Sequence, residues 1–261
     1  MGSLVLVGTV AAAIIFAVVW YVCVRIRNYG FLDVTWTLSV GLLALIDGVT
    51  ATGNPMRRAL FTAVAVAWSL RLGVFVLLRV VREHPREDKR YVTLRQRWPS
   101  PLAFLVFFEL QALIAVIFSV PFLLADVDPN PHIGPLEWIG LAVAAVGIVG
   151  ESVADAQASA FKRQASGARR VLDVGLWRYS RHPNYFFEAV VWIGVALAAL
   201  GLPHGWLAIA APLLILYFLL RVTGIPLTEK HSLETHGQAY RDYQQRTSAF
   251  IPWQPKSIIR G

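Results

Sequence analysis

Seven mostly apolar runs, at about 4–24, 31–47, 59–79, 102–125, 135–157, 186–202 and 204–222, set the terms on which this chain can fold. A helix crosses bilayer hydrocarbon with roughly 20 such residues. Inside the hydrocarbon, each backbone amide must be satisfied within its own helix or a closed barrel. Barrel strands alternate apolar and polar residues, and these runs do not. The sequence therefore predicts an all-α, polytopic membrane protein of about seven transmembrane helices, with 1–261 as a single integral-membrane domain. The sixth and seventh runs are short and separated only by Pro203-His204, which predicts a tight helical hairpin. Charged residues make up 15% of the chain, well below the roughly 25% of soluble domains.

The formal charge is +8, a balance that nucleic-acid binders share, but the cations are not spread like theirs. Of 24 Lys and Arg, 21 fall near 25–30, 79–98, 158–185 and 221–261, while 126–134 and 203–204 hold none. That is the positive-inside pattern. It predicts an outside N-terminus, a cytoplasmic C-terminus, and the lipid bilayer rather than nucleic acid as partner. In a bacterial cell this would be the inner membrane. Arg57 and Arg58, in the 48–58 loop, run against the pattern. Cys23 is the sole cysteine, so an intrachain disulfide and a cysteine-based metal site are excluded, and the reading requires no metal. Residues 1–4 lack the basic flank of a signal peptide, so 4–24 is expected to be a retained helix. No feature of the sequence assigns an oligomeric state.

Ionisable groups near membrane depth mark function more often than elsewhere. Asp33 opens the second run; it is either a helix-start charge favoured by the dipole or a proton donor facing a cavity. Arg71 lies inside the third run after Trp68 and needs an anion, for which Glu109 or Asp33 would serve. The 79–98 loop reads most simply as a solvated charge run; alternatively Arg90 and Tyr91 fold back over a site. In the fifth run Glu151, Asp155, Ala158 and Lys162 share one helical stripe. The stripe is either an internal ion-pair network with Arg178 or Arg181, or a set of acceptors for ribose hydroxyls ending in a cation for phosphate.

The densest polar knot is Gly175-Leu176-Trp177-Arg178-Tyr179-Ser180-Arg181-His182-Pro183-Asn184-Tyr185, with Glu188 one turn beyond Asn184. His182 precedes a proline and is biased away from helix; Pro183 suits a first helical turn. The arginines beside that turn suit an anion, and His182 reads more simply as a loop-pinning hydrogen bonder. Arg169 and Arg170 precede the knot. Beyond residue 222, Tyr240 and Tyr243 lie three apart on an expected helix, as membrane anchors or as rings for a cofactor to stack on. Residues 250–253, Phe-Ile-Pro-Trp, are expected to form an apolar clasp against the bundle.

The knot, together with Glu151-x3-Asp155-x6-Lys162 before it and Tyr243 and Ile251-Pro252-Trp253 after it, resembles the C-terminal signature of the steroid 5-alpha-reductase family in its broad bacterial branch. The resemblance is strongest over 145–255. It implies a seven-helix membrane reductase that takes hydride from NADPH on the cytoplasmic side. The acceptor would be a carbon–carbon double bond conjugated to a carbonyl, in a hydrophobic small molecule of steroid or isoprenoid kind. Carried over by position, Asp155, Lys162, Tyr179, Arg181, Asn184, Glu188 and Tyr243 would surround the cofactor. Glu151, Arg178, His182, Tyr185 and Tyr240 join them as neighbouring candidates. Asp33 stands where steroid-reducing members carry a glutamate. Trp68, three before Arg71, stands where they carry a tyrosine. An indole donates a hydrogen bond but supplies no proton at neutral pH, so Asp33, Trp68, Arg71 and Tyr91 together are the candidates for polarising the substrate.

Isoprenylcysteine and phospholipid methyltransferases, which bind S-adenosylmethionine, share an Arg-His-Pro-x-Tyr run and give the second reading. Seven spans and the Glu151/Asp155 stripe favour the reductase. A transporter would be expected to show an internal repeat or paired broken helices, and the sequence has neither.

Overall fold

The computed structural model describes residues 1–164 and 171–256; Arg169 and Arg170 lie outside them. Every regular element among the described residues is helical, in line with the sequence. Among the described residues six helices are long and apolar enough to cross a membrane: Gly2–Ile26, Phe31–Thr50, Pro55–Glu83, Pro101–Val127, Pro135–Arg163 and the helical run Gly205–His236. The sixth apolar run forms a shorter helix, Pro183–Ala199, of 17 residues. At 1.5 Å per residue it is about 25 Å long, against roughly 30 Å of hydrocarbon.

The chain divides into two compact units, Met1–Trp138 with Ala199–Ala208, and Ile139–Ala198 with Ile209–Gly261. In the first unit, α1 (Gly2–Ile26) ends where Arg27 turns left-handed at φ 54°. Asn28, buried, accepts the Gly30 amide and holds the turn into α2 (Phe31–Thr50). α3 (Pro55–Glu83) starts on Asn54, whose side chain accepts the amides of Met56 and Arg57, with proline at its first position; this is strong local start chemistry. α2 and α3 pack closely because their facing residues are small. A Cβ on Gly41 would meet Ser69 at 2.4 Å, and one on Gly48 would meet Thr62 at 2.1 Å. Ser69 Oγ donates to the Thr37 carbonyl at 2.9 Å. α5 (Pro101–Val127) packs on both α1 and α2.

The 79–101 stretch is more than a loop. Asp88 accepts the Arg90 amide and caps α4 (Lys89–Arg97).

Arg57 and Arg58 have internal partners. Arg57, 1% exposed, pairs with Glu137 at 2.5 Å and Asp128 at 3.3 Å and donates to the carbonyls of Asn130 and His132. Arg58 caps α2 through the Gly48 carbonyl at 2.6 Å. Cations held this way are unlike the free loop charges that the positive-inside rule counts.

In the second unit, α6 (Pro135–Gln164, from Ile139 on) packs against α7 (Pro183–Ala199). A Cβ on Gly140 would lie 2.2 Å from the Ala198 nitrogen; on Gly194, 2.4 Å from the Ala144 nitrogen; on Gly147, 2.6 Å from the Val191 nitrogen. Small residues let the two backbones touch, as membrane helix pairs often do.

The seventh run is less regular than a hairpin arm. After His204, left-handed at φ 61°, it passes through a 3-10 turn (Gly205–Ile209), α8 (Ala210–Tyr217) and a π turn (Phe218–Val222). α9 (Ile225–His236) and α10 (Gln238–Arg246) follow.

Candidate functional site

The first unit gathers its polar groups where α4 covers the start of α2. Asp33 accepts the Tyr91 hydroxyl at 2.7 Å and the Arg90 guanidinium at 2.7 Å, with Arg79 at 3.8 Å. Arg90 also binds Asp88 at 2.9 Å. Glu87 accepts the Tyr29 amide and Arg95, both at 2.7 Å, and Arg95 lies 4.8 Å from the Tyr29 ring centre. Two acid–arginine pairs therefore fasten α4. The cavity beneath it, bordered by Asn28, Asp33, Arg79 and Asp88, is about 10 Å³, room for roughly one water.

Burial pushes the Asp88 carboxyl up, but the hydrogen bonds and charge of Arg90 outweigh it and leave Asp88 below the usual carboxylate range. The Tyr91 phenol is raised well above its ordinary value, by burial first and then by the Asp33 charge. Tyr91 therefore stands as a neutral phenol whose proton points at a carboxylate.

Of the four residues proposed from sequence to polarise a substrate, the structure joins Asp33 and Tyr91. Trp68 lies elsewhere on α3, 1% exposed, edge-on to Trp36 at 6.1 Å. Arg71 is half-buried one turn further on, 5.9 Å from the Phe75 ring centre.

In the second unit, Glu151 and Asp155 extend the α6 stripe of Gly140, Ala144 and Gly147; Glu188 and Asn184 extend the facing stripe of α7. All three carboxylates are buried. Asn184 Nδ2 donates to Asp155 at 3.4 Å, and Trp192 Nε1 donates to Glu188 at 2.9 Å. Asn184 Oδ1 is buried and accepts no hydrogen bond among the described residues. Lys162, Arg163, Arg178 and Tyr179 are exposed. The internal pairing of the stripe with Arg181 does not form, because Arg181 bonds elsewhere.

Its partner is Glu229, on α9. Arg181 grips it through Nε at 2.8 Å and a terminal nitrogen at 3.0 Å. His182 Nε2 and the Tyr240 hydroxyl each lie 2.9 Å from Glu229, and Gln244 donates to it as well. The other Arg181 nitrogen reaches the Thr247 carbonyl at 2.5 Å. Tyr243 bonds the Trp177 carbonyl, and Tyr185 lies 3.1 Å from the Thr228 hydroxyl with its ring stacked on His182. The segment 247–253 then lies along 177–182: Arg181 N–H donates to Ser248, Trp253 N–H to Tyr179, and Ser180 Oγ to Phe250.

This clasp engages Arg181, His182, Tyr240 and Tyr243 within the protein. With 5% and 2% exposed, Tyr240 and Tyr243 are buried clasp residues rather than membrane anchors. Burial, with the Glu229 charge next for Tyr240 and Tyr240 itself next for Tyr243, raises both phenols above their ordinary range. The 250–253 clasp is also smaller than expected. Phe250 packs edge-on to Phe186 at 5.8 Å, while Ile251 and Trp253 point outward.

Glu229 went unread in the sequence. The signal was a deficit: the knot holds two arginines and a histidine and, within itself, only the buried Glu188 to answer them. A carboxylate had to come from outside it.

No solved structure matches the chain significantly. An uncharacterized protein of Schizosaccharomyces pombe, C594.04c, is 26% identical over 280 aligned residues, covering 94% of this chain and 79% of the yeast protein. The family model described as "Protein of unknown function (DUF1295)" matches residues 19–247, which take in α2 to α10 and both polar clusters, and the chain belongs to that family.

Proposed function

We propose that the protein is an integral-membrane reductase that binds NADPH through its second unit and reduces a conjugated carbon–carbon double bond in a lipid-soluble enone. The observation carrying this reading is the Asp155–Asn184–Glu188 set at the end of the α6–α7 interface. The buried carboxylates of Asp155 and Glu188 are acceptors suited to ribose hydroxyls, and Asn184 Oδ1, which accepts no hydrogen bond among the described residues, suits an amide N–H such as a carboxamide's. Exposed Lys162 and Arg163 supply charge for phosphates. The dinucleotide supplies a hydride when bound.

Hydride addition to the β carbon builds negative charge on the carbonyl oxygen, which a donor must stabilise. In the first unit, Tyr91 carries a phenol of that kind. It keeps its proton at neutral pH and in this structure donates it to Asp33 at 2.7 Å; serving as the donor requires the hydroxyl to turn from Asp33 to the substrate oxygen. Arg90 pairs with Asp33 from the other side at 2.7 Å. Arg181 and His182 act by fixing the loop that precedes α7.

The test is ligand binding by the detergent-solubilised full chain. NADPH should raise the unfolding temperature, S-adenosylmethionine should not, and Asn184→Ala should abolish the NADPH effect. Tyr91→Phe should retain NADPH binding and lose turnover of a model enone. Stabilisation by S-adenosylmethionine alone would replace this reading with a methyltransferase.

A further inference from the structure

We infer that the outward side of the clasp is a membrane-contact surface, in which Ile251, Trp253, Tyr179 and Val174 sit in the headgroup layer against anionic lipid. This inference does not depend on the reductase reading.

Trp253 is 73% exposed, Val174 61%, Ile251 60% and Tyr179 43%. The Trp253 amide bonds the Tyr179 carbonyl at 2.9 Å, which fixes the two aromatic residues beside each other. An open notch of about 410 Å³ lies against Tyr179, Pro252, Trp253 and Gln254.

Depth follows from one contact and one length. Phe250 packs on Phe186, in the first turn of α7, so the segment lies level with that turn. α7 is about 25 Å long and falls short of a typical hydrocarbon thickness. A short helix thins the bilayer around it or draws flanking residues into the interface. The flanking residues here are an indole, a phenol and two aliphatic chains. Indoles and phenols concentrate at the membrane–water boundary, and the aliphatic pair suits the acyl side of it.

Charge selects the lipid. Arg178 adjoins Tyr179, and Lys256 follows three residues after Trp253; both are exposed. Each cation near an anionic leaflet favours contact by about fivefold. Ile251 and Val174, which carry no hydrogen-bonding side-chain group, favour lipid over a nucleotide base at this surface.

The test uses the single cysteine to advantage. In a Cys23→Ala background, Ile251→Cys, Trp253→Cys and, as a water-facing control, Gln245→Cys are spin-labelled and placed in phosphatidylcholine nanodiscs with and without phosphatidylserine. Labels at 251 and 253 should be several-fold more accessible to oxygen, relative to a water-soluble nickel chelate, than the label at 245. Phosphatidylserine should widen the gap. Nickel accessibility at 251 and 253 equal to that at 245 would overturn the inference. So would loss of nickel access at 253 on adding NADPH, which would put a nucleotide there. A second measurement leaves Cys23 untouched: brominated lipid should quench the fluorescence difference between the wild type and Trp253→Phe, and an unquenched difference overturns the inference equally.

Discussion

Glu229 accepts hydrogen bonds from Arg181, His182, Tyr240 and Gln244, so a single carboxylate joins α9, α10 and the loop before α7. Removing it leaves a mostly buried guanidinium without its counter-charge, which costs about 3 kcal/mol in comparable pairs. Glu229→Ala should therefore lower the unfolding temperature in detergent markedly, and Glu229→Gln, which keeps one acceptor oxygen and the side-chain volume, should lower it less. Asp126 is the opposite case. It is 0% exposed, and neither carboxylate oxygen accepts a hydrogen bond among the described residues. A buried polar group without a partner costs about 1–3 kcal/mol. Asp126→Ala, which removes both unpartnered oxygens, should thus raise the unfolding temperature, a rare gain for a change at a buried site. Neither behaviour is written near the residue. Glu229 lies 48 positions from Arg181, and which arginine a carboxylate meets at that range depends on packing that no local pattern encodes.

At the scale of elements, the α6–α7 pair packs backbone against backbone at Gly140, Gly147 and Gly194. Gly194→Leu would drive a side chain into the Ala144 backbone. The expected result is unchanged helical content by circular dichroism with lost NADPH binding, since Asn184 and Glu188 move with α7. α4 is held more lightly and by charge. Asp88 titrates below its usual range, so its contribution to α4 is complete above the ordinary aspartate value, about 3.9, and fades as pH falls through its lower folded value. Tyr91 titrates above its usual range, so its contribution is complete below about pH 10 and fades as pH rises through the folded value. Protection of the 86–95 amides against hydrogen exchange, relative to the unfolded chain at the same pH, should accordingly stay high and flat from pH 5 to 9 and fall in stronger acid; Asp88→Asn should lower it throughout. The apolar runs, Pro55, Pro101 and Pro183 announced their helices plainly, because length and start chemistry are local. α4 was obscured by its charge: seven cations in 79–98 look like solvated loop until Asp88 is read as a cap. The candidate site divided the same way. The Glu151/Asp155 stripe and Asn184/Glu188 followed from helical periodicity, whereas the Asp33–Tyr91 bond spans 58 positions and needed the fold.

For the molecule as a whole, the internal pairing of Arg57 and Arg58 removes the two exceptions to the charge asymmetry. The remaining loop cations then all favour one side, with Arg71 lying within α3. A fluorescent protein fused after residue 261 should light up, because it folds in the cytoplasm. Alkaline phosphatase inserted within 129–132 should be active, because that loop is expected outside. The reverse pair of results would invert the topology assigned to the bilayer. Length alone set the number of crossings less sharply: six helices clear it comfortably and α7 falls just short.

The manner in which 247–253 lies along 177–182 also sets a clock on biosynthesis. Arg181 finds the Thr247 carbonyl 66 positions further on. At about 5–20 residues per second, a nascent chain carries that guanidinium without this last partner for roughly 3–13 s. An insertion chaperone or a quality-control protease would have that interval in which to recognise the half-made protein.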